Sequence, residues 1–285
     1  MAGAATTAVI LARGLGTRMR AADGAAGLAA GLTTGLTAGL TAAQRAAADA
    51  GAKGLMPVGE RPLLDHVLCA LADGGVRDVV FVVAPGDDAL RARYVRDAPP
   101  TRLTVRFAEQ AEPRGTADAL LAAQGAVQVP FLMLNADNLY PAESVAALVA
   151  LDGPGLVAYE ADALVERGNI DRARVMQFAL LDLADDGTLV DIVEKPSADD
   201  PLACAPERWV SMNLWRFTSA IFDDCAAVQP SVRGELELTD AVRHAIRVRG
   251  ERFLAVRQRA GVLDLSRRAD VAAVEARLAG RDARP

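Results

Sequence analysis

The run Val9-Ile10-Leu11-Ala12-Arg13-Gly14-Leu15-Gly16-Thr17-Arg18-Met19 leads from an apolar, strand-like stretch into a glycine-bearing loop that ends in arginine. At a strand's carboxyl end in an α/β protein, the backbone N–H groups of such a loop can receive a phosphate. Gly14 and Gly16 permit a tight turn and close approach of a ligand. Arg18 presents a planar fork of donors suited to phosphate oxygens. The loop is not a dinucleotide fingerprint, because Met19 stands where a third glycine is needed. It is not a nucleoside-triphosphatase loop either, since the chain contains no Gly-Lys-Ser/Thr. Read alone, it is equally a plain turn with a solvated arginine.

Other residue types could complete an anion site. The chain has 31 basic side chains, and its only lysines are Lys53 and Lys195. A compact ammonium is not interchangeable with a guanidinium where a phosphate is tightly held. Asn135-Ala136-Asp137-Asn138 follows an apolar strand, so Asp137 would lie on the sheet edge where parallel sheets bind ligands. Its hard oxygens suit magnesium; a turn-forming Asp-Asn pair is the plainer reading. In Gln110-Ala111-Glu112-Pro113-Arg114-Gly115-Thr116, the Gln110 amide could read a base edge. Gly115 permits close approach, and Thr116 would cap the helix that follows. In Glu194-Lys195-Pro196 the carboxylate could accept sugar hydroxyls and the ammonium could hold a phosphate. Asp264, flanked by apolar residues, would need a partner or a metal if buried, or would serve as a helix cap.

Composition bounds what this chemistry could be. The chain has 285 residues, 52% hydrophobic and 24% charged, an ordinary globular balance. A net charge of −6 argues against a generally basic nucleic-acid binder. No apolar run approaches the roughly 20 residues of a membrane span, and the N-terminus does not read as a signal peptide. Cys69, Cys204 and Cys225 are odd in number and widely spaced, which suits reduced thiols in a cytosol. The two histidines, His66 and His244, sit in helix-like stretches and read as packed or surface residues. The chemistry therefore does without imidazole.

Strands are expected over residues 6–12, 78–84, 103–108, 131–135 and 156–160. Helices are expected over 62–73, 87–95, 116–126 and 143–150. This alternation calls for parallel strands with crossover helices. A hairpin is expected from residues 175–184 and 189–194 around Asp185-Asp186-Gly187. A strand at 210–217, two helices, a strand at 253–256 and a helix at 267–278 complete the chain. Residues 21–52 differ. Gly-Leu recurs at 27–28, 31–32, 35–36 and 39–40, and this reads as a low-complexity insertion, flexible or marginally helical. Residues 41–50 read as a proper helix capped by Thr41.

Together the motifs resemble those of the sugar-1-phosphate nucleotidyltransferases. The resemblance rests on Leu-Ala-Arg-Gly-Leu-Gly-Thr-Arg-Met, on Lys53 with Met56-Pro57-Val58 and Arg61-Pro62-Leu63, and on Arg-Gly-Thr-Ala-Asp-Ala at 114–119. It continues through Asn-Ala-Asp-Asn at 135–138, Val-Glu-Lys-Pro at 193–196, Ser-Met-Asn-Leu-Trp-Arg-Phe at 211–217, Gly-Glu-Leu-Glu-Leu-Thr-Asp-Ala-Val at 234–242 and Val-Leu-Asp at 262–264. These motifs stand in the family's order over nearly the whole chain.

The resemblance implies one nucleotidyltransferase domain over 1–285, an α/β fold of three layers (α/β/α, Rossmann-like) with a mixed, mainly parallel sheet. It implies transfer of a nucleotidyl group from a nucleoside triphosphate to a sugar 1-phosphate, releasing pyrophosphate, in the bacterial cytosol. Arg18 and Lys53 would hold the triphosphate, with Ala12, Arg13, Gly14, Gly16 and Thr17 lining its loop. Gln110, Gly115 and Thr116 would face the base. Asp137 and Asp264 would hold Mg2+ or Mn2+. Glu194 would bind sugar hydroxyls and Lys195 the sugar phosphate, with Asn138 and Asn213 in the sugar pocket. Family members often form homo-oligomers; no nucleic-acid or membrane partner is implied. A phosphomonoester is mostly dianionic at neutral pH, so this chemistry needs charge neutralisation and positioning more than a general base.

Two departures stand out. Arg13 replaces the first of two glycines usual in the family, which leaves base selection open or adds a charge near the phosphates. The stretch between Arg18 and Lys53 is also unusually long. Two alternatives remain open: a relative acting on a cyclitol phosphate or another non-sugar phosphate, and a non-catalytic nucleotide-sugar-binding regulatory subunit.

Overall fold

A computed structural model of the chain describes residues 4–14, 16–20 and 39–285. β-Branched and aromatic runs form the strands β1 (Thr7–Leu11), β2 (Asp78–Val83), β3 (Thr104–Glu109), β4 (Phe131–Asn135), β5 (Gly155–Glu160), β6 (Ala179–Leu183), β7 (Leu189–Glu194), β8 (Trp209–Phe217) and β9 (Leu254–Gln258). Among the described residues these make one nine-stranded sheet in the order β7-β6-β8-β4-β1-β2-β3, and β5 pairs with both β8 and β9. β1 runs parallel to β2 and β4, β2 to β3, and β9 to β5. β8 is antiparallel to β4, β5 and β6, and β7 is antiparallel to β6. All strands but β7 and β8 therefore share one direction, which is the mixed, mainly parallel sheet expected.

Side chains of a strand alternate between faces, and here they divide the core in two. Ala8, Ile10, Phe81 and Leu134 pack in one cluster with the helices α1 (Ala42–Ala50), α2 (Leu63–Asp73), α4 (Ala142–Ala150) and α7 (Asp270–Leu278). Val9, Val80, Met133 and Trp215 pack in the other with α3 (Thr116–Ala122), α5 (Ile221–Ala227) and α6 (Leu238–Arg249). The sheet is the middle of three layers. No helix among the described residues is long and apolar enough to cross a membrane.

Local chemistry moves several expected boundaries. Thr41 caps α1 through a reciprocal box with Gln44, as its sequence indicated. The hairpin strand expected from residue 175 begins only at Ala179. Asp171 instead accepts the backbone N–H of Arg174 and caps a helical turn, Arg172–Val175. The last helix begins at Asp270 and not near 267, because the Asp270 carboxylate accepts the N–H groups of Ser266 and Arg267. The helix expected at 87–95 widens into a π-helical stretch, Ala92–Asp97, where Arg93 and Tyr94 both reach buried Asp65. The Gly-Leu repeat lies outside the described residues over 21–38.

Thr116 caps a different helix from the one expected. It is the first residue of α3 and makes no cap there. Its hydroxyl accepts the N–H of Leu238, the first residue of α6, at 2.9 Å. Gly115 approaches the same strip so closely that a Cβ there would lie 2.4 Å from the Leu236 carbonyl oxygen. Two backbone bonds, Leu236 to Arg114 and Ala117 to Leu236, finish the junction. Thr116→Val, which keeps shape and loses the acceptor, is expected to cost about 1 kcal/mol. That corresponds to a fall in Tm of roughly 2–4 °C; Thr116→Ser should keep most of the stability. Thermal melts of the two variants check this.

Candidate active site

The residues singled out above line two connected cavities beside the β1 and β4 ends. One, of about 360 Å³, is bordered by Gly14, Gly16, Thr17, Arg18, Lys53, Thr116, Asp137, Asn138, Glu194, Lys195, Asn213 and Asp264. The other, of about 890 Å³, is bordered by Ala12, Arg13, Gly14, Thr17, Lys53, Gln110, Gly115, Thr116 and Asp137. Both volumes lie near the range of small-molecule sites. Gly14, Thr17, Lys53, Thr116 and Asp137 belong to both.

The glycine loop packs backbone to backbone against Gly51, two residues before Lys53. Gly16 has φ +62°, and a Cβ there would lie 2.6 Å from the carbonyl oxygen of Gly51. Only glycine allows this approach. Gly51, in the left-handed conformation, ends α1 just before Lys53. Lys53 Nζ then lies 2.8 Å from Asp137 Oδ2. Arg268 ties the turn after this loop to α1, donating to the Met19 carbonyl and to Asp49.

Asp137 and Asp264 sit on adjoining turns. Short strands at Asn138–Leu139 and Leu263–Asp264 pair antiparallel, with Asp264 opposite Asn138. The Asp137 carbonyl accepts the Leu265 N–H at 2.9 Å. Asp264 is 3% exposed. Its Oδ1 accepts from Arg174 Nη2, and its Oδ2 accepts from Asn138 at 3.1 Å and Ser266 at 3.0 Å. Arg174 also pairs with Asp270 at 2.8 Å. Sequence reading found Asp264 but not Arg174, whose type and position carried no motif. Asn138, for which the resemblance implies a substrate, donates from its amide nitrogen to Asp264 and also borders the cavity. Burial, and then the charge of Asp137, push the Asp264 carboxyl up, against the pull of Arg174. Asp137 and Asp264 border one cavity, and a divalent cation between them would relieve the cost that the Asp137 charge puts on Asp264. Magnesium takes one or two carboxylates and fills its shell with water and ligand phosphates. No larger cluster of His, Cys, Asp or Glu occurs among the described residues.

The opposite wall carries backbone strain. Among the described residues, Lys195 (φ 44°) and Asn213 (φ 58°) are the only non-glycine residues in the left-handed region. Such outliers cluster at functional sites. Asn213 lies within β8 where the pairing register shifts between Ser211 and Trp215, and that bulge turns the strand across the cavity. Glu194, at the end of β7, is pushed up by burial and by Glu237, while Arg233 and Lys195 draw it down. Glu237 is itself raised, chiefly by burial, and is bonded by Arg233 at 2.7 Å. Arg233, Glu235 and Glu237 border this cavity too. They lie in or beside the Gly-Glu-Leu-Glu-Leu run at 234–238, whose sequence alone indicates no role for these side chains.

At the second cavity, Gln110 is 4% exposed. Its Nε2 donates to the Gly115 carbonyl at 3.2 Å and to Asp118 Oδ2 at 2.8 Å. Arg13 Nη2 reaches across to the Ala111 carbonyl at 2.8 Å. His66 is buried and drawn down by that burial, and His244 pairs with Asp224; neither borders either cavity.

A family model described as "Nucleotidyl transferase" matches residues 48–264. A relative in Haloferax volcanii, UTP–glucose-1-phosphate uridylyltransferase AglF, is 29% identical over 195 residues, 68% of this chain and 75% of that protein. A glucose-1-phosphate thymidylyltransferase of Streptomyces antibioticus is 32% identical over 201 residues, 68% of this chain and 51% of that protein. The chain thus spans about half the length of several curated relatives. Among solved structures, a UDP-glucose pyrophosphorylase complexed with UDP-glucose superposes with TM-score 0.72 over 98% of this chain and 100% of that one, at 16% identity. At that identity the likeness carries the fold.

Two variants test the electrostatics. Arg174→Met leaves two buried carboxylates without their cation and is expected to cost about 3–5 kcal/mol. The loss should shrink in acid, where protonated Asp264 and Asp270 no longer need a counter-charge; denaturant unfolding across pH measures it. For Glu194, a raised folded-state value means that the fold binds more protons than the unfolded chain above the ordinary carboxylate range, so its contribution falls as pH rises through that window. Glu194→Gln should therefore melt above the parent at about pH 8, with the gap closing towards about pH 4.

Proposed function

Since this chain belongs to the nucleotidyl transferase family, as a sugar-1-phosphate nucleotidyltransferase, we propose that it joins a nucleoside triphosphate to a sugar 1-phosphate through the two cavities just described. The observation that carries this reading is the convergence of both lysines of the chain, Arg18 and the Asp137–Asp264 pair on one cleft. We take residues 1–285 to be one catalytic domain. We place the reaction in the cytoplasm, where the three free cysteines would stay reduced.

In this reading the triphosphate lies along the loop from Ala12 to Arg18, with its base towards Gln110 and Gly115. Arg18 and Lys53 neutralise the β- and γ-phosphates. The sugar 1-phosphate enters from the β7–β8 side. Glu194 and Asn213 take its hydroxyls, and Lys195 takes its phosphate. An oxygen of that phosphate attacks the α-phosphorus. The new P–O bond forms as the bond to the bridging oxygen breaks, and pyrophosphate leaves with the electron pair. No side chain need remove a proton, because the attacking phosphate is already mostly dianionic. The obstacle is the meeting of two anions, and cationic side chains held in place lower it. Asp137 and Asp264 would hold a divalent ion, whose charge would favour the developing anion when bound. Lys53, paired with Asp137, would then move from carboxylate to phosphate.

The test is pyrophosphate release with magnesium, using each nucleoside triphosphate against a panel of sugar and cyclitol 1-phosphates. Release that requires one sugar phosphate is expected. A requirement for a cyclitol phosphate would redirect the acceptor, and nucleotide binding without any release would favour a non-catalytic role. Asp137→Ala should lower kcat by at least about a hundredfold while its circular dichroism and melting remain those of a folded protein. Full activity in that variant would remove the metal assignment.

A further inference from the structure

Two cations already sit on the two carboxylates of the proposed ion site, and they are held differently. Arg174 is fixed. Its side chain is 6% exposed, and it bonds Asp264 through Nη2 and Asp270 through Nη1. Removing it from either partner would strand a buried charge. Lys53 is exchangeable. Its ammonium lies 2.8 Å from Asp137 Oδ2, with the two side chains 22% and 20% exposed, and it borders both cavities. A partly exposed pair of this kind gains little, and the flexible four-carbon stem lets the ammonium change partners.

The local charges are balanced with Lys53 in this place. Asp137, Asp264 and Asp270 are matched by Lys53 and Arg174 in direct pairs and by Arg18 on the wall of the same cavity. Asp270 is further met by the N–H groups of Ser266 and Arg267. A divalent ion brought to Asp137 and Asp264 alone therefore meets no unmatched anion, and must displace the ammonium or sit against it. A triphosphate changes both conditions. Its oxygens offer Lys53 another anion, and they supply ligands that magnesium requires beyond one or two carboxylates.

We infer that Lys53 is a built-in counter-ion that keeps a divalent cation off Asp137 until a nucleoside triphosphate is bound, so that ion and nucleotide bind cooperatively through this one side chain. Lys53 lies either on Asp137 or on phosphate, and the second arrangement frees Asp137 for the ion. Coupling between two ligands is reciprocal, so the same exchange makes each ligand tighten the other. A lysine that served phosphate binding alone would leave the ion's affinity for the nucleotide-free protein unchanged when it is removed. The inference rests on the ion site and the course of the triphosphate proposed above.

The experiment titrates Mn2+ into the nucleotide-free protein and follows the free ion by electron paramagnetic resonance, which needs no turnover. The wild-type protein should bind Mn2+ weakly. Lys53→Met should bind it about 10- to 100-fold more tightly, within the usual span of coupling between sites. Lys53→Gln, which keeps a donor and loses the charge, should follow Lys53→Met, and Lys53→Arg should stay near wild type. Adding Asp137→Ala to Lys53→Met should abolish the gain. In calorimetry with each of the four nucleoside triphosphates, the affinity gained on replacing EDTA by Mn2+ should be larger in wild type than in Lys53→Met. Equal Mn2+ affinity in wild type and both uncharged variants would overturn the inference, and so would a gain that survives Asp137→Ala. The expected gain in a protein that releases pyrophosphate from no triphosphate would uphold the exclusion while removing the catalytic reading.

Discussion

A buried aspartate is the constraint around which the cleft is built. Asp264 lies almost wholly out of water, and an ionised carboxylate there is tolerable only with a counter-charge and donors on its oxygens. Arg174, Asn138 and Ser266 meet that need, and they come from segments far apart in the chain. Asn169 brackets the backbone of the same residue, donating to its carbonyl and accepting from its N–H. Satisfying this one group therefore aligns the turn after β4, the segment ahead of β6 and the entry to α7. Asp137 is held in place as a by-product, through its carbonyl bond to Leu265.

The second organising feature is the bend in β8. Residues 209–211 of this strand pair with β6, whereas residues 215–217 pair with β4. One strand thus joins the two halves of the sheet, and Asn213 occupies the break between the two pairings. A straight strand would present its side chains alternately to two closed layers. The break turns a polar residue towards the cavity, at the cost of a left-handed backbone on a residue with a Cβ. Lys195 meets a similar cost at the end of β7. Strain appears where the fold must aim a side chain.

Much of this was legible in the sequence because it is local. Strand β4 (Phe131–Asn135) appears where the apolar pattern placed it, and Thr41 caps α1 as its side chain allows. The cleft residues Arg18, Lys53, Asp137, Glu194, Lys195 and Asp264 stand out in the sequence because each sits beside a recognisable run. What could not be read depends on contacts between remote segments. Thr116 lies 122 positions from the N–H it receives, so nothing near it in sequence indicates which helix it caps. Arg174 has no motif around it, and only the position of Asp264 gives it meaning. Val175 reads as strand by composition, but Asp171 gives the preceding backbone a better local solution as a capped turn.

The use of arginine almost everywhere has a consequence for reagents. Guanidinium groups resist mild acylation at neutral pH, and ammonium groups do not. Apart from the terminal α-amine, the amines of this sequence are Lys53 and Lys195, and both border the same cavity. An amine-directed label therefore reports on the cleft and on no other side chain. Occupancy of the cleft could be followed by mass alone, as protection of two sites against a background of arginines that stay silent.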